Sequence, residues 1–333
     1  MTQAPQRPID IPALVAGVRR SDRATLARAI TLVESRAPQH AEAAQGLLAE
    51  LLPLAGQSIR IGITGAPGAG KSTFIDTFGC FLTERGHKVA VLAIDPSSSL
   101  TRGSILGDKT RMERLSRDRN AFIRPSPAGG VLGGIAAKTR ESILLCEAAG
   151  FDVIVVETVG TGQSEIALRS LVDFFLLLLI TGAGDELQGI KKGVIEIADA
   201  LVINKADGDN KVAAGAARAE FNRALRLLAP ATAGWTTRAH TASGMTGDGV
   251  DELWEVITQF VAATKASGAF DSRRQAQLRD WLRDAIESRL RDYFYAHPSV
   301  QAALPEVEAA LMRGDLSATA AAEKMLSLIL PGR

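Results

Sequence analysis

Short apolar runs alternate with amphipathic segments through the middle of the chain, at residues 59–64, 88–94, 121–124, 153–157, 174–181 and 200–204. The runs are rich in Val, Ile and Leu rather than alternating apolar with polar. That pattern marks strands buried on both faces, and helices between them mean βαβ crossovers. It predicts an α/β fold with a mostly parallel central sheet over residues 58–266. Ligands of such a sheet sit beyond the carboxyl ends of its strands.

Both flanks read as helical. In the N-terminal segment, residues 1–57, Leu26, Ile30 and Val33 recur at helical spacing with Ser21 as the expected N-cap. Leu47, Leu48, Leu51 and Leu52 form a second stripe, ended by Pro53 and Gly56. In the C-terminal segment, residues 267–333, Leu278, Leu282, Ile286 and Leu290 repeat every four residues among arginines and aspartates. Such a stripe must be buried on something, either its own domain or a second copy of the chain.

Composition narrows the partners. Lysine and arginine total 38 against 37 acidic residues, a net charge of +1, which gives no long-range attraction to nucleic acid or to an anionic membrane. The two cysteines, Cys80 and Cys146, stand singly, without the paired spacing of a disulfide framework or a zinc site. The N-terminus lacks the apolar core of a signal peptide, since Asp10 and Pro12 interrupt it. The longest apolar stretch, residues 171–180, carries Asp173 and is too short to span a bilayer. A cytoplasmic protein that does not enter the membrane is expected.

The first predicted strand runs into Gly65-Ala66-Pro67-Gly68-Ala69-Gly70-Lys71-Ser72-Thr73, the pattern G-x-x-x-x-G-K-[ST]. Glycines let successive backbone N–H groups turn toward phosphate oxygens, and the N-terminus of the following helix adds partial positive charge. Lys71 would bridge the β- and γ-phosphates, and the Ser72 hydroxyl would ligate Mg²⁺. The strand at 153–157 ends in Glu157, followed by Thr158-Val159-Gly160, as a Walker B strand does. Asp95, at the end of another strand, and Asp108 further along its loop are candidates to serve Mg²⁺ directly or through water. The competing reading of both is a solvated loop acid.

The strand at 200–204 ends in Asn204-Lys205-Ala206-Asp207, an N-K-x-D pattern. A carboxylate there accepts from guanine N1–H and its exocyclic amine. Adenine offers no such donor pair, so a site of this kind can reject it by roughly 10⁴ or more. Lys205 would lie along the base and Asn204 would brace the loop. Ser243-Gly244-Met245 is the natural second base-contacting loop. Together these motifs predict a Mg²⁺-dependent GTP hydrolase that holds GTP or GDP.

The strings around these positions resemble one family. Asp95-Pro96-Ser97-Ser98, the run from Gly103 to Met112, Glu157-Thr158-Val159-Gly160-Thr161-Gly162-Gln163-Ser164-Glu165, and the segment from Gly182 to Gly193 are similar to the MeaB/ArgK-type GTPases. That family includes the methylmalonic aciduria type A protein. The one departure is Thr161, where the family pattern carries Val. The resemblance implies a G-protein chaperone of an adenosylcobalamin-dependent methylmalonyl-CoA mutase or related acyl-CoA mutase. Such a chaperone gates cofactor loading and protects or reactivates the mutase, without binding cobalamin itself. It also implies a homodimer, with residues 267–333 as the dimerisation arm. Ser72, Asp95, Asp108 and Glu157 would be the Mg²⁺ and switch set, alongside Lys71. The loop from Gly182 to Lys191 would be a third switch in which Asp185 and Lys191 couple partner to nucleotide. No arginine stands inside the phosphate motifs, so slow intrinsic hydrolysis is expected until a partner orders Lys191 or Arg111.

Two alternatives remain open. One is a transport-associated nucleotide-binding kinase of amino-acid uptake, which would need a membrane or periplasmic partner. The other is a nickel-insertion GTPase. That function needs clustered Cys and His ligands, whereas His40, His87, His240 and His297 are scattered.

Overall fold

The computed structural model describes residues 9–35, 37–95, 112–127, 132–158, 164–181 and 192–329. Its strands are β1 (Ile59–Gly65), β2 (Val89–Asp95), β3 (Ala121–Pro127), β4 (Val153–Thr158), β5 (Phe174–Leu179), β6 (Ala200–Ile203) and β7 (Arg238–Thr241). They form one sheet in the order β3-β2-β4-β1-β5-β6-β7, and every neighbouring pair is parallel. The expected α/β architecture is therefore present, and β1, which leads into the phosphate motif, lies at its centre.

Successive strand residues feed two separate cores, as the pleat requires. Phe175, Leu177 and Leu179 face one side with α1 (Ile11–Arg19), α2 (Arg23–Glu34), α3 (Pro38–Leu51), α6 (Leu132–Ala148), α7 (Ser164–Arg169) and α9 (Lys211–Leu225). Phe174, Leu176 and Leu178 face the other, against α4 (Lys71–Glu84), α5 (Glu113–Arg117) and α10 (Val250–Ala266). The short helix α8 (Lys192–Glu196) precedes β6. Among the described residues, no helix is long and apolar enough to cross a membrane.

The N-terminal edge of the sheet is held by three aspartates that immediately precede β4, β5 and β6. Each pairs both backbone groups of one residue on the neighbouring strand or its lead-in. Asp173 donates its N–H to the Arg60 carbonyl at 2.8 Å, and its carboxylate accepts the Arg60 N–H at 2.9 Å. Asp199 does the same with Phe175, at 2.9 Å in both directions. Asp152 does so with Lys88, at 3.1 and 2.6 Å. Arginines neutralise the two that are buried. Arg274 donates to Asp173 at 2.8 and 2.7 Å, and Arg169 donates to Asp199 at 2.5 and 3.2 Å. Arg274 also reaches the carbonyls of Gly56 and Ser58, at 2.5 and 2.7 Å. A buried Glu147 accepts both arms of Arg60, at 3.0 and 3.1 Å. At the far side of the sheet, Asn222 donates to the Ala239 carbonyl at 3.0 Å and accepts the Ala239 N–H at 2.9 Å, covering the outer edge of β7.

The chain divides into two units, Met1–Gln277 and Leu278–Arg333. The helix α11 (Ala269–Ala296) begins in the first, where its residues Arg273, Arg274 and Gln277 bond to the sheet base. In the second unit, α12 (Pro298–Met312) and α13 (Ala318–Ser327) enclose a small core of Val300, Val307, Ala321 and Met325. The stripe Leu278, Leu282, Ile286 and Leu290 is exposed along α11.

Two details of the N-terminal helices differ from expectation. Asp22, not Ser21, caps α2, accepting the Thr25 N–H at 2.7 Å. Ser21 has a positive φ of 59° and donates its hydroxyl to the Ala149 carbonyl at 2.6 Å, so a tertiary contact draws it out of the capping position. In the second stripe Leu47 and Leu51 are buried as expected. Leu52 has left α3 for a 3₁₀ turn and is 59% exposed.

Candidate functional site

The strand ends of β1, β4 and β6 bring the sequence motifs together. β1 ends at Gly65 (φ +154°), where a Cβ would stand 2.3 Å from the Leu178 carbonyl oxygen on β5. Only glycine fits there. The loop then turns through Gly68 into α4, whose N-cap, Gly70, has φ +83°. A Cβ on Gly70 would meet Asn204 Nδ2 at 2.8 Å and Lys205 Cε at 3.6 Å, so the two predicted ligand motifs are in direct contact.

Lys71 opens α4 and is buried. Its Nζ donates to the carbonyls of Gly65 and Ala66, at 2.7 and 3.2 Å. Burial depresses its pKa, opposed by the charges of Glu157 and then Glu165. Ser72 Oγ donates to Glu157 Oε1 at 3.4 Å, placing the hydroxyl of the phosphate motif beside the acid of β4. Cis oxygen ligands of an octahedral magnesium stand about 3 Å apart, so this hard oxygen pair fits such an ion after a small adjustment. The tips of β1 and β4 are further joined by Thr158 Oγ1, which donates to Thr64 Oγ1 at 3.0 Å.

The base motif is braced from two sides. Asn204 is buried; its Nδ2 donates to the Ala69 carbonyl at 2.8 Å, and its Oδ1 accepts the Gly244 N–H at 3.1 Å. Lys205 holds a left-handed φ of 59°, and its carbonyl accepts from Asn210 at 2.7 Å. Asp207 Oδ2 accepts the Ser243 hydroxyl, and the same oxygen Oγ of Ser243 accepts the N–H groups of Met245 and Thr246, at 3.2 and 3.1 Å. Ser243, Gly244 and Met245 thus stand beside the N-K-x-D residues, with Met245 exposed. Gly244 packs so tightly on α4 that a Cβ would lie 2.9 Å from Phe74 N, while its carbonyl accepts the Thr77 hydroxyl at 2.5 Å.

Of the remaining predicted positions, Asp95 closes β2 in the backbone, but its side chain lies outside what is described. Asp108, Asp185 and Lys191 lie outside the described residues. Among the described residues, no three His, Cys, Asp or Glu side chains are grouped to hold a metal ion.

Two contributors were not singled out as site residues from sequence. Glu165, in the first turn of α7, is buried and acts electrostatically on Lys71. Asp76 accepts from Arg114 Nε and the Leu115 N–H, both at 2.9 Å, and Arg114 donates to Thr77 at 2.7 Å. That chain ties α5 to the helix of the phosphate motif. Only the position of Glu165, one helical turn before the apolar Leu168, hinted at an inward-facing acid.

The chain is similar to known proteins. Residues 26–299 match the family model described as methylmalonyl Co-A mutase-associated GTPase MeaB. GTPase ArgK of Escherichia coli (strain K12) is 50% identical over 280 residues, covering 84% of this chain and 85% of that protein. The mitochondrial methylmalonic aciduria type A homolog of Mus musculus is 46% identical over 323 residues, covering 94% of this chain and 78% of that protein. A crystal structure of an LAO/AO transport system kinase is similar at a TM-score of 0.74 and 39% identity, covering 97% of this chain and 99% of that one. At such identity over most of its length, the chain belongs to the MeaB family and is a P-loop enzyme that hydrolyses GTP.

Proposed function

We propose that this GTPase works with Mg²⁺ as a chaperone of an adenosylcobalamin-dependent acyl-CoA mutase, methylmalonyl-CoA mutase first among them. In this reading it gates cofactor loading and protects or reactivates the mutase. The observation that carries the nucleotide part is the contact of Asn204 with Ala69, which joins a guanine-reading motif to a phosphate loop in one continuous site. The partner is supported by the family description, which names association with methylmalonyl-CoA mutase, and by the murine relative's name.

The backbone from Gly65 to Thr73 cradles the phosphates. Lys71, now turned back onto the carbonyls of its own loop, moves its ammonium to the β- and γ-phosphate oxygens. Asp207 reads the guanine donors, Lys205 covers the base, and Ser243, Gly244 and Met245 close the opposite side. Ser72 and Glu157, with Asp95 and Asp108, hold the metal, whose charge offsets that of the phosphates. Asp185 and Lys191 couple the mutase to hydrolysis. The exposed stripe of Leu278, Leu282, Ile286 and Leu290 forms the homodimer contact. A second reading, a nucleotide-dependent kinase of amino-acid transport, is favoured only by the name of the 39% identical solved relative.

The test is steady-state GTP hydrolysis by the purified protein, with and without methylmalonyl-CoA mutase from the same organism. Strong stimulation that disappears in Lys191→Ala supports the chaperone reading. Absence of both stimulation and complex, with GTP still bound, overturns it. Transfer of the γ-phosphoryl group to a protein acceptor would favour the transport reading instead.

A further inference from the structure

Guanine carries a keto oxygen next to the N1–H and exocyclic amine donors. Asp207 can only accept, so it serves the donors and cannot serve that oxygen. The loop of Ser243, Gly244 and Met245, bonded to Asp207 through the Ser243 hydroxyl, offers backbone N–H groups beside it. How those groups point depends on the two peptide planes that flank Gly244. The Gly244 N–H is held by Asn204 Oδ1 at 3.1 Å. The Gly244 carbonyl, which belongs to the next peptide, is held by the Thr77 hydroxyl at 2.5 Å. One plane is set by the base motif, and the other by α4.

The helix delivers this contact by its geometry. Gly244 presses on α4 at Phe74, and helix side chains lean toward the helix N-terminus. Thr77, about one turn on, therefore reaches back to the Gly244 carbonyl. Its methyl Cγ2 lies 3.7 Å from where a Cβ of Gly247 would stand. The Gly247 N–H closes the same loop on the Ser243 carbonyl at 2.9 Å. The direction of the hydroxyl is fixed as well. A guanidinium only donates and a carbonyl only accepts. With Arg114 Nη2 at 2.7 Å, Thr77 must accept from Arg114 and donate its single hydrogen to Gly244. Arg114 is itself seated by Asp76 at 2.9 Å, whose second oxygen accepts the Leu115 N–H at 2.9 Å. Hydrogen bonds linked in such a chain polarise and strengthen one another. We propose that Thr77, oriented by Arg114, is a positioning residue for guanine reading. It holds the peptide between Gly244 and Met245 so that the N–H groups of this loop serve the keto oxygen. The inference rests on the base-site reading given under Proposed function.

The experiment measures, by calorimetry with Mg²⁺ present, the affinities of GTP and 6-thio-GTP for the wild type, Thr77→Val, Thr77→Ser and Asp207→Ala. The thio nucleotide keeps both donors that Asp207 reads and replaces the keto oxygen by sulfur, a weaker acceptor. The wild type should prefer GTP. Thr77→Val keeps the shape and the methyl and removes the hydroxyl. Its GTP affinity should fall by about tenfold and its affinity for 6-thio-GTP by much less, so the preference narrows. Thr77→Ser, which keeps the hydroxyl, should retain the wild-type preference. An unchanged preference in Thr77→Val, a parallel loss of both affinities, or an equal narrowing in Thr77→Ser overturns the inference by assigning Thr77 a packing role. Equal binding of the two nucleotides by the wild type overturns it too, because the keto oxygen is then not read. If Thr77→Val does not fold, Arg114→Met takes its place, at a side chain 61% exposed, and an unchanged preference there overturns the inference. If Asp207→Ala binds GTP as the wild type does, the base-site reading itself fails. If it abolishes binding while Thr77→Val leaves the preference alone, only the Thr77 inference falls.

Discussion

The side-chain amide of Asn204 lies 2.8 Å from the carbonyl oxygen of Ala69, and through it the base-reading loop is bonded to the phosphate loop in the free protein. The same side chain accepts the Gly244 N–H, so one buried residue orders three loops. Asn204→Ala leaves two backbone groups without partners, a loss of about 1–3 kcal/mol. Melting should fall accordingly in the free protein, and GTP affinity should drop by at least about tenfold. Calorimetry and thermal denaturation check both; an unchanged GTP affinity would mean that the loops need no brace.

Asp207 is held by the Ser243 hydroxyl on one oxygen, leaving acceptor capacity for guanine donors. Asp207→Asn replaces one acceptor with a donor, which matches the keto oxygen of xanthine in place of the guanine amine. GTP affinity should fall by about a hundredfold or more while xanthosine triphosphate gains. Competition binding with the two nucleotides decides it, and retained GTP selectivity would remove Asp207 from the base site.

Asp173 is buried between Arg60 and Arg274. Asp173→Asn strands the Arg274 guanidinium at the sheet base, at a cost of about 3–5 kcal/mol. The urea midpoint should move strongly downward with little change in slope. A neutral result would mean that Arg274 finds solvent without penalty.

His240, on β7, has its pKa lowered by burial, reinforced by Arg218 and Arg238 and opposed by Glu252. The unfolded chain takes up a proton near pH 6.5, where the folded chain still refuses it. This group therefore contributes stability above about pH 6.5 that is lost as the pH falls through its lower folded value. Urea midpoints at pH 7.5 and 5.5 should differ less in His240→Asn than in the wild type.

How much of this was legible follows from what each feature depends on. A parallel strand buried on both faces must be a run of apolar residues, so β1, β4 and β5 stand out in the sequence wherever they are placed. The phosphate and base motifs are local strings, so Lys71 and Asp207 can be named without coordinates. Ser21 and Asp22 are both competent caps, and only the carbonyl of Ala149, far away in sequence, decides between them. Asp173 reads as an interruption of an apolar run, because its partners Arg60 and Arg274 are brought to it by the fold.

The paired bonds of Asp152, Asp173 and Asp199 bear on how the strands find their alignment. A hairpin inherits its register from its turn, whereas parallel strands arrive from separate crossovers with no such gauge. In this chain, each aspartate seats both backbone groups of one residue on its neighbour. A shift by a single residue would turn those groups away and take from each aspartate the backbone N–H that its carboxylate accepts. Three short side chains thereby fix at one edge the positions of strands whose other ends must meet around a nucleotide, so the alignment of the catalytic loops is decided at the side of the sheet farthest from them.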